Sequence, residues 1–121
     1  RLLEEELHID FERKSIMGHS MGGHGALTIA LREGGYTSVS ALAPITNPSQ
    51  VDWGRKAFTT YLGPDEVKWE SHDATHLLEK GVSPYDEILV DVGASDPFLE
   101  SQLTPEALQN AAKKVGQNLK L

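Results

Sequence analysis

The sequence lacks cysteine, any apolar run long enough to cross a membrane, and an excess of basic residues. Without cysteine, the 121-residue chain has no disulfide framework, no thiolate metal site and no cysteine nucleophile. No apolar run approaches the roughly 18 residues of a membrane-spanning helix. Lysine and arginine number 11 against 18 aspartates and glutamates, and the net charge of −7 disfavours nucleic acid and anionic membranes as partners. The length is that of one small domain.

What the sequence does contain is a strand, a tight turn and a helix in immediate succession. The apolar strand 15–17 leads into a G-x-S-x-G match at 18–22, and an apolar helix pattern follows. A serine on so sharp a turn is strained, and glycines two positions before and after it avoid a clash. We therefore predict Ser20 as an exposed nucleophile and the Met21 N–H, at a helix N-terminus, as an oxyanion donor. A glycine-rich helix start without chemistry is the alternative interpretation.

The order of helical and strand patterns predicts an α/β fold. It runs helix (1–8), connector (9–13), strand, helix, strand, insertion, helix, strand (87–93) and helix (105–115), and residues 117–121 are predicted to open another strand. The near-continuous apolar run at 87–93 is typical of a buried parallel strand. This alternation favours a mostly parallel sheet with helices on both faces.

Asp96 is the predicted acid partner of Ser20. In hydrolases with this turn, the acid follows the nucleophile in the chain and lies just past the C-terminal end of a later strand. Asp96 occupies that place after the strand 87–93, whereas Asp91 lies within the strand and Asp86 precedes it. An Asp-Pro turn without catalytic function is the alternative.

The general base is missing from the expected chain order, because every histidine precedes Asp96. The histidines are His8, His19, His24, His72 and His76. We interpret His19 as a pocket or packing residue and His24 as a helix residue that faces a neighbour, rather than as bases. His72 and His76 have the i, i+4 spacing of metal ligands, but no third ligand lies nearby in the sequence and no metal site is predicted.

Segments along essentially the whole chain resemble the S-formylglutathione hydrolases, the esterase D group of α/β hydrolases. GHSMGGHGAL at 18–27 is similar to their nucleophile turn, and the downstream sequence separates this group from lipases and peptidases. The other similar segments are APITNP at 43–48, WGRKAF at 53–58, YLG at 61–63, Trp69, DATHL at 73–77 and VGASDPFL at 92–99.

The resemblance implies a cytosolic serine thioesterase of formaldehyde catabolism, which splits S-formylglutathione into glutathione and formate and also cleaves simple carboxylic esters. By that match Ser20 is the nucleophile, Asp96 the triad acid and the Met21 N–H one oxyanion donor. The two-step acyl transfer needs no metal or organic cofactor. Trp53 and Phe58, in the insertion, either border the acyl pocket or pack in the interior. The expected partner is a small thioester or ester, with a homodimer as a further expectation.

The chain departs from this family by what it does not contain. The family carries its catalytic histidine after the acid, in a Gly-x-Asp-His-Ser-type segment that is absent here, and its upstream strands and second oxyanion loop are absent as well. The chain also begins without Met, within a helical pattern. We therefore expect residues 1–121 to be one incomplete α/β-hydrolase domain, truncated at both ends and inactive alone. A general acetyl or feruloyl esterase, or a catalytically inactive interaction fragment, are the alternatives.

Overall fold

A parallel sheet forms the centre of the computed structural model, which describes residues 2–8, 12–81 and 83–121. In this part of the chain the strands, in their order across the sheet, are β1 (Ser15–His19), β2 (Ser38–Leu42), β3 (Ile88–Asp91) and β4 (Leu119–Lys120). The helices are α1 (Leu2–Leu7), α2 (Met21–Glu33), α3 (Asp52–Leu62), α4 (Glu66–Trp69), α5 (Ala74–Lys80) and α6 (Pro105–Val115). The predicted α/β class and parallel sheet are confirmed.

Each connection joins two neighbouring strands of the sheet. β1 pairs with β2, β2 with β3 and β3 with β4, and every pairing is parallel. Parallel crossovers are right-handed almost without exception, so successive steps in one direction across a sheet place their helices on the same face. Accordingly α2, α5 and α6 share one core cluster with the sheet. A helix on the second face, which the sequence also led us to expect, is not among these crossovers.

The core lies between the sheet and these three helices. Side chains alternate along a strand, and the inward positions Val39, Ala41, Ile88 and Val90 are buried. They pack against Leu27, Ala30, Ala74, Leu78, Leu108, Ala111 and Ala112. The opposite face is open in the described residues, where Met17 of β1 is 67% exposed. The three helices therefore support the strands from one face of the sheet only.

The insertion between β2 and α5 is tied together by a buried carboxylate. Asp73 caps α5, because its Oδ1 accepts the N–H groups of Thr75 and His76 at 3.0 and 3.3 Å. Its Oδ2 accepts the N–H of Ser49 at 2.9 Å, in the 3₁₀ turn Pro48–Gln50 that precedes α3. Asp73 is fully buried. It thereby fixes the turn before α3 to the start of α5.

Close backbone packing also positions α3 against that turn. A Cβ at Gly54 would lie 2.1 Å from the carbonyl oxygen of Pro48, so only glycine fits at this position.

The predicted helix 105–115 and a strand near the end of the chain are confirmed. The predicted connector 9–13 lies largely outside the described residues. No helix in the described ranges is long and apolar enough to cross a membrane.

Candidate active site

Ser20 lies at the junction of β1 and α2 in a backbone conformation that L-residues rarely adopt. Its φ and ψ angles are 55° and −118°, a region that glycine normally occupies. Its N–H donates to the carbonyl of Leu42 at 2.8 Å, and its carbonyl accepts the N–H of His24 at 3.1 Å. The end of β2 and the first turn of α2 therefore hold the strained residue from both sides. Met21 follows as the first residue of α2.

The glycines around Ser20 differ in their function. A Cβ at Gly18 would lie 2.1 Å from the carbonyl oxygen of Gly22, so β1 can pass beneath the start of α2 only with glycine there. A Cβ at Gly23 would lie 3.1 Å from the carbonyl oxygens of Gly18 and Leu42. At Gly22 the expected clash is not found, since nothing lies within 4 Å of a Cβ built there. The backbone of Gly22 is instead the surface on which Gly18 packs.

A cavity of about 530 Å³ lies beside Ser20. Its walls come from α2, α3 and the two 3₁₀ turns at Pro48–Gln50 and Glu70–His72, and most of the lining side chains are apolar or aromatic. Trp53 and Phe58 line this cavity, as does Met21. The arrangement can hold an apolar group against the Ser20 hydroxyl.

His19 does not line this cavity, contrary to the prediction. It is the last residue of β1 and is exposed. Because side chains alternate along a strand, His19 shares a face with Met17, whereas Gly18 faces α2. A residue next to the serine in sequence is thereby directed to the opposite side of the sheet.

Two other histidines share the cavity with Ser20. His24 lies one turn further along α2, with its ring centroid 6.4 Å from that of Phe58. Burial lowers the pKa of His24, against the opposing effect of the nearby Asp73 carboxylate, and therefore favours the neutral imidazole. Its Nε2 has no hydrogen-bond partner among the described residues. His72 contacts Arg32, with 3.4 Å between Nδ1 and Nη1.

Neither cavity histidine is arranged as a general base in the described structure. No hydrogen bond among the described residues joins the imidazole of His24 or His72 to Ser20; the bond between His24 and Ser20 is the backbone bond of the first turn of α2. The same part of the chain contains no group of three potential metal ligands. Sequence reasoning missed that His24 reaches the cavity of Ser20. The available signal is the i, i+4 spacing of the two residues, which places them on one side of the start of α2.

Asp96 lies in the loop after β3, at the carboxyl ends of the strands, where Ser20 also lies. The strands are parallel, so their C-terminal ends meet there, and the N–H of Ala43 after β2 donates to the backbone carbonyl of Asp91 at the end of β3 at 2.7 Å. Strands β1 and β3 are separated by β2 alone, which sets them about 10 Å apart. That separation is wide enough for one side chain between Ser20 and Asp96.

The Asp96 carboxylate is oriented by its own loop. Its Oδ1 accepts the N–H of Phe98 at 2.8 Å, and its backbone N–H donates to the carbonyl of Gly93 at 2.9 Å. Both bonds close a tight turn, so Asp96 has the local geometry of an Asp-Pro turn as well as the position expected of an acid. The rival Asp91 is the exposed last residue of β3, and Asp86 precedes that strand.

The loop that contains Asp96, residues 93–103, packs against the start of α3; it is called the acid loop after the predicted role of Asp96. The Phe98 ring lies 4.6 Å from the Trp53 ring, with an angle of 51° between the planes. A single π-helical turn, Leu99–Leu103, follows. Within this turn the buried side chain of Gln102 accepts the backbone N–H of Trp53 on its Oε1 at 3.0 Å. Sequence reasoning missed these contacts, because no spacing rule connects residues so far apart in the chain.

Comparison with known proteins matches the chain to one family. The esterase family model, described as "Putative esterase", matches residues 1–120. The S-formylglutathione hydrolase of Arabidopsis thaliana is 50% identical over 123 residues, which cover 100% of this chain and 43% of that protein. The S-formylglutathione hydrolase of Paracoccus denitrificans (strain Pd 1222) is 56% identical over 105 residues, which cover 85% of this chain and 37% of that protein. The chain thus spans about two fifths of the length of the curated relatives it matches.

Solved structures show the same fold. An S-formylglutathione hydrolase from Agrobacterium tumefaciens superimposes with a TM-score of 0.91 at 44% identity, covering 99% of this chain and 43% of that one. An acylaminoacyl peptidase superimposes with a TM-score of 0.67 at 15% identity, a likeness of fold alone.

Proposed function

The chain belongs to this esterase family, and from that premise we propose that it supplies the nucleophile and the acid of a serine hydrolase acting on S-formylglutathione. The observation that carries the proposal is the strained Ser20 at the start of α2, beside an apolar cavity. Strain of this kind persists where the surrounding structure over-determines it, and such positions concentrate at active sites. The names of the relatives at about 50% identity support the substrate.

The proposed reaction is a two-step acyl transfer. The Ser20 Oγ attacks the formyl carbonyl, its proton passes to an imidazole, and the C–S bond breaks as the imidazole returns that proton to the departing glutathione sulfur. Water then attacks the formyl ester of Ser20 and gives one proton to the imidazole, which protonates the Ser20 oxygen as formic acid leaves and ionises to formate in water. The Met21 N–H, at the N-terminus of α2, stabilises the oxyanion in both steps.

The imidazole of this triad is proposed to come from a segment that follows Asp96. No histidine follows Asp96 within residues 1–121, and the relatives are more than twice as long as this chain. The separation of β1 and β3 supports a ring between Ser20 and Asp96. We propose accordingly that residues 1–121 are one part of an α/β-hydrolase domain whose other parts provide this histidine and the second oxyanion donor. A cytoplasmic location and a homodimer belong to the same proposal.

A general carboxylesterase is the second candidate. The observation that favours it is the size of the cavity, since about 530 Å³ far exceeds a formyl group and the walls include Trp53 and Phe58. Both residues are proposed to border the acyl pocket. Comparison of kcat/KM for S-formylglutathione with a series of p-nitrophenyl esters separates the two: a formyl thioesterase prefers the former, and an acetyl or feruloyl esterase prefers a longer acyl group.

Ser20→Ala tests the proposal in the full-length hydrolase that carries this chain. We expect hydrolysis of S-formylglutathione to fall to the residual acceleration of about 10³–10⁴-fold over water that binding and oxyanion stabilisation gave in the protease precedent. Labelling of the protein by a fluorophosphonate should be lost at the same time. Turnover close to that of the unmodified enzyme would contradict Ser20 as the nucleophile.

Asp96→Asn tests the acid. We expect substrate binding to be kept and kcat to fall by about 10⁴, because the imidazole loses the carboxylate that orients and stabilises it. Asp91→Asn, with an exposed carboxylate at the end of β3, is the matched control and should retain activity. An equal loss in Asp91→Asn at unchanged stability would reverse the assignment.

A further inference from the structure

We propose that Phe98 and Gln102 are positioning residues for the Asp96 carboxylate, which they hold by clamping the acid loop onto Trp53 in the cavity wall. This inference rests on the proposed function, since it assigns a means of orienting the proposed triad acid. It concerns residues that do not line the cavity and that lie outside the Ser20 turn.

The first half of the clamp is Phe98. Its N–H donates to Asp96 Oδ1 at 2.8 Å, so the orientation of this peptide determines where the carboxylate points. Its carbonyl accepts the N–H groups of Gln102 and Leu103, both at 3.0 Å, which fixes the other side of the residue. The Phe98 side chain is 45% exposed, and the ring contact it makes is with Trp53 at 4.6 Å. Trp53 therefore sets the position of the residue that orients Asp96.

The second half of the clamp is Gln102. The first N–H groups of a helix lack partners within that helix, and the N-cap of α3, Val51, offers no side-chain acceptor. Gln102 supplies one from the acid loop, since its buried Oε1 accepts the Trp53 N–H at 3.0 Å. Two independent contacts, one between rings and one through the backbone of Trp53, thus join the acid loop to α3.

Trp53 lies in the wall of the cavity that contains Ser20. The clamp consequently fixes the acid loop to a residue of the cavity wall. The distance from Asp96 to Ser20 is then set by this contact, because the loop cannot move independently of α3. Without the clamp, the backbone bonds of Asp96 to Gly93 and Leu99 still retain the turn, but no side chain holds the loop on α3, so the Phe98 N–H can shift relative to Asp96 Oδ1. A misplaced acid lowers the rate of the chemical step and leaves ground-state binding unchanged.

Gln102→Leu tests this in the full-length hydrolase, with kcat expressed per fluorophosphonate-titrated site. We expect kcat to fall by about 10–100-fold with KM changed by less than about threefold. Gln102→Glu keeps an oxygen acceptor at the N-terminus of α3 and should restore kcat. Gln109→Leu on α6, a glutamine of intermediate exposure, is the matched control and should behave as the unmodified enzyme. Phe98→Leu removes the ring contact with Trp53, which is the other half of the clamp. It replaces Gln102→Leu in the same assay if Gln102→Leu does not fold.

A double-mutant cycle separates a positioning function from a merely structural one. Because the clamp acts through Asp96, adding Gln102→Leu to Asp96→Asn should lower kcat by less than about threefold further. If the double variant lost kcat by the product of the two single losses, or if Gln102→Leu raised KM at constant kcat, the inference would be overturned. If Asp96→Asn is damaging while both clamp variants retain full kcat, the inference fails and the proposed function stands; if Asp96→Asn itself retains kcat, the proposed acid fails and the clamp with it.

Discussion

At Ser20 the backbone is held where a side chain is costly, at φ 55° and ψ −118°. A residue in such a region destabilises the folded state by roughly 1–3 kcal/mol relative to a relaxed one. The hydrogen bonds to Leu42 and His24 keep it there. The turn at Ser20 thus lowers the local stability, and the hydrogen bonds to the surrounding strand and helix offset this loss.

Ser20→Gly is therefore expected to be more stable than Ser20→Ala, by about 1 kcal/mol or more, because glycine alone adopts this conformation without strain. Urea unfolding of the two variants measures the difference. Ser71, in the 3₁₀ turn Glu70–His72, is the control, since there glycine should be the less stable replacement. Equal stabilities at Ser20 would mean that the turn is not strained.

His24 makes the stability of the protein depend on pH. Burial lowers its folded-state pKa below the ordinary value of 6.5, so the unfolded chain takes up a proton first as the pH falls. The free energy of unfolding should keep the His24 contribution above about pH 6.5 and lose it progressively as the pH drops through the folded-state pKa. Unfolding curves at pH 7.5 and 5.5 should diverge less in His24→Gln than in the unmodified protein. His19→Gln, at an exposed site, should retain the full divergence.

Among the secondary-structure elements, those whose pattern is local were predictable. The strand, turn and helix around Ser20 follow from residues that are adjacent in sequence, and the apolar run at β3 predicts a buried strand. The hydrogen bond from the backbone N–H of Trp53 to Gln102 joins residues 49 positions apart, and no periodic pattern in the sequence predicts it. The π-helical turn after Asp96 was missed for the same reason, since its position depends on docking to α3.

The element most dependent on one side chain is the insertion, through Asp73. Asp73→Asn should lower the free energy of unfolding by about 1.5–3 kcal/mol, because an amide cannot accept from both Ser49 and the start of α5, and a buried N–H is left unpaired. Asp65→Asn is the control: Asp65 caps α4 through the Val67 N–H at 3.2 Å, but it is exposed, so its loss should be smaller. Equal losses measured by chemical denaturation would show that Asp73 acts only as a cap.

At the scale of the whole molecule, the sheet of the described residues is uncovered on one face and at one edge. In the described residues one face of the sheet is open, with Met17 67% exposed, and β1 ends the sheet on one side. Open edges and faces of this kind favour association between chains. In the same part of the chain, no imidazole is hydrogen-bonded to Ser20, the proposed nucleophile.

The isolated chain is accordingly expected to be inactive and poorly soluble, because Ser20 without a base is a weak nucleophile. Residues 1–121 and the full-length protein would be expressed side by side and assayed with S-formylglutathione and a fluorophosphonate. His24→Gln in the isolated chain is the control, since His24 already shares the cavity with Ser20. A soluble chain with turnover within about tenfold of the full-length protein, abolished by His24→Gln, would place the base in α2 and contradict the proposed triad.

The order of the strands has a consequence for synthesis on the ribosome. Strands that follow one another in the chain are also neighbours in the sheet, so each βα unit can dock as soon as it emerges, without waiting for a later segment. The connection from β1 to β2 is the shortest and closes at the lowest entropic cost. The Ser20 turn takes its cross-strand bond from Leu42 at the end of β2, so this bond can form before the acid loop has been translated.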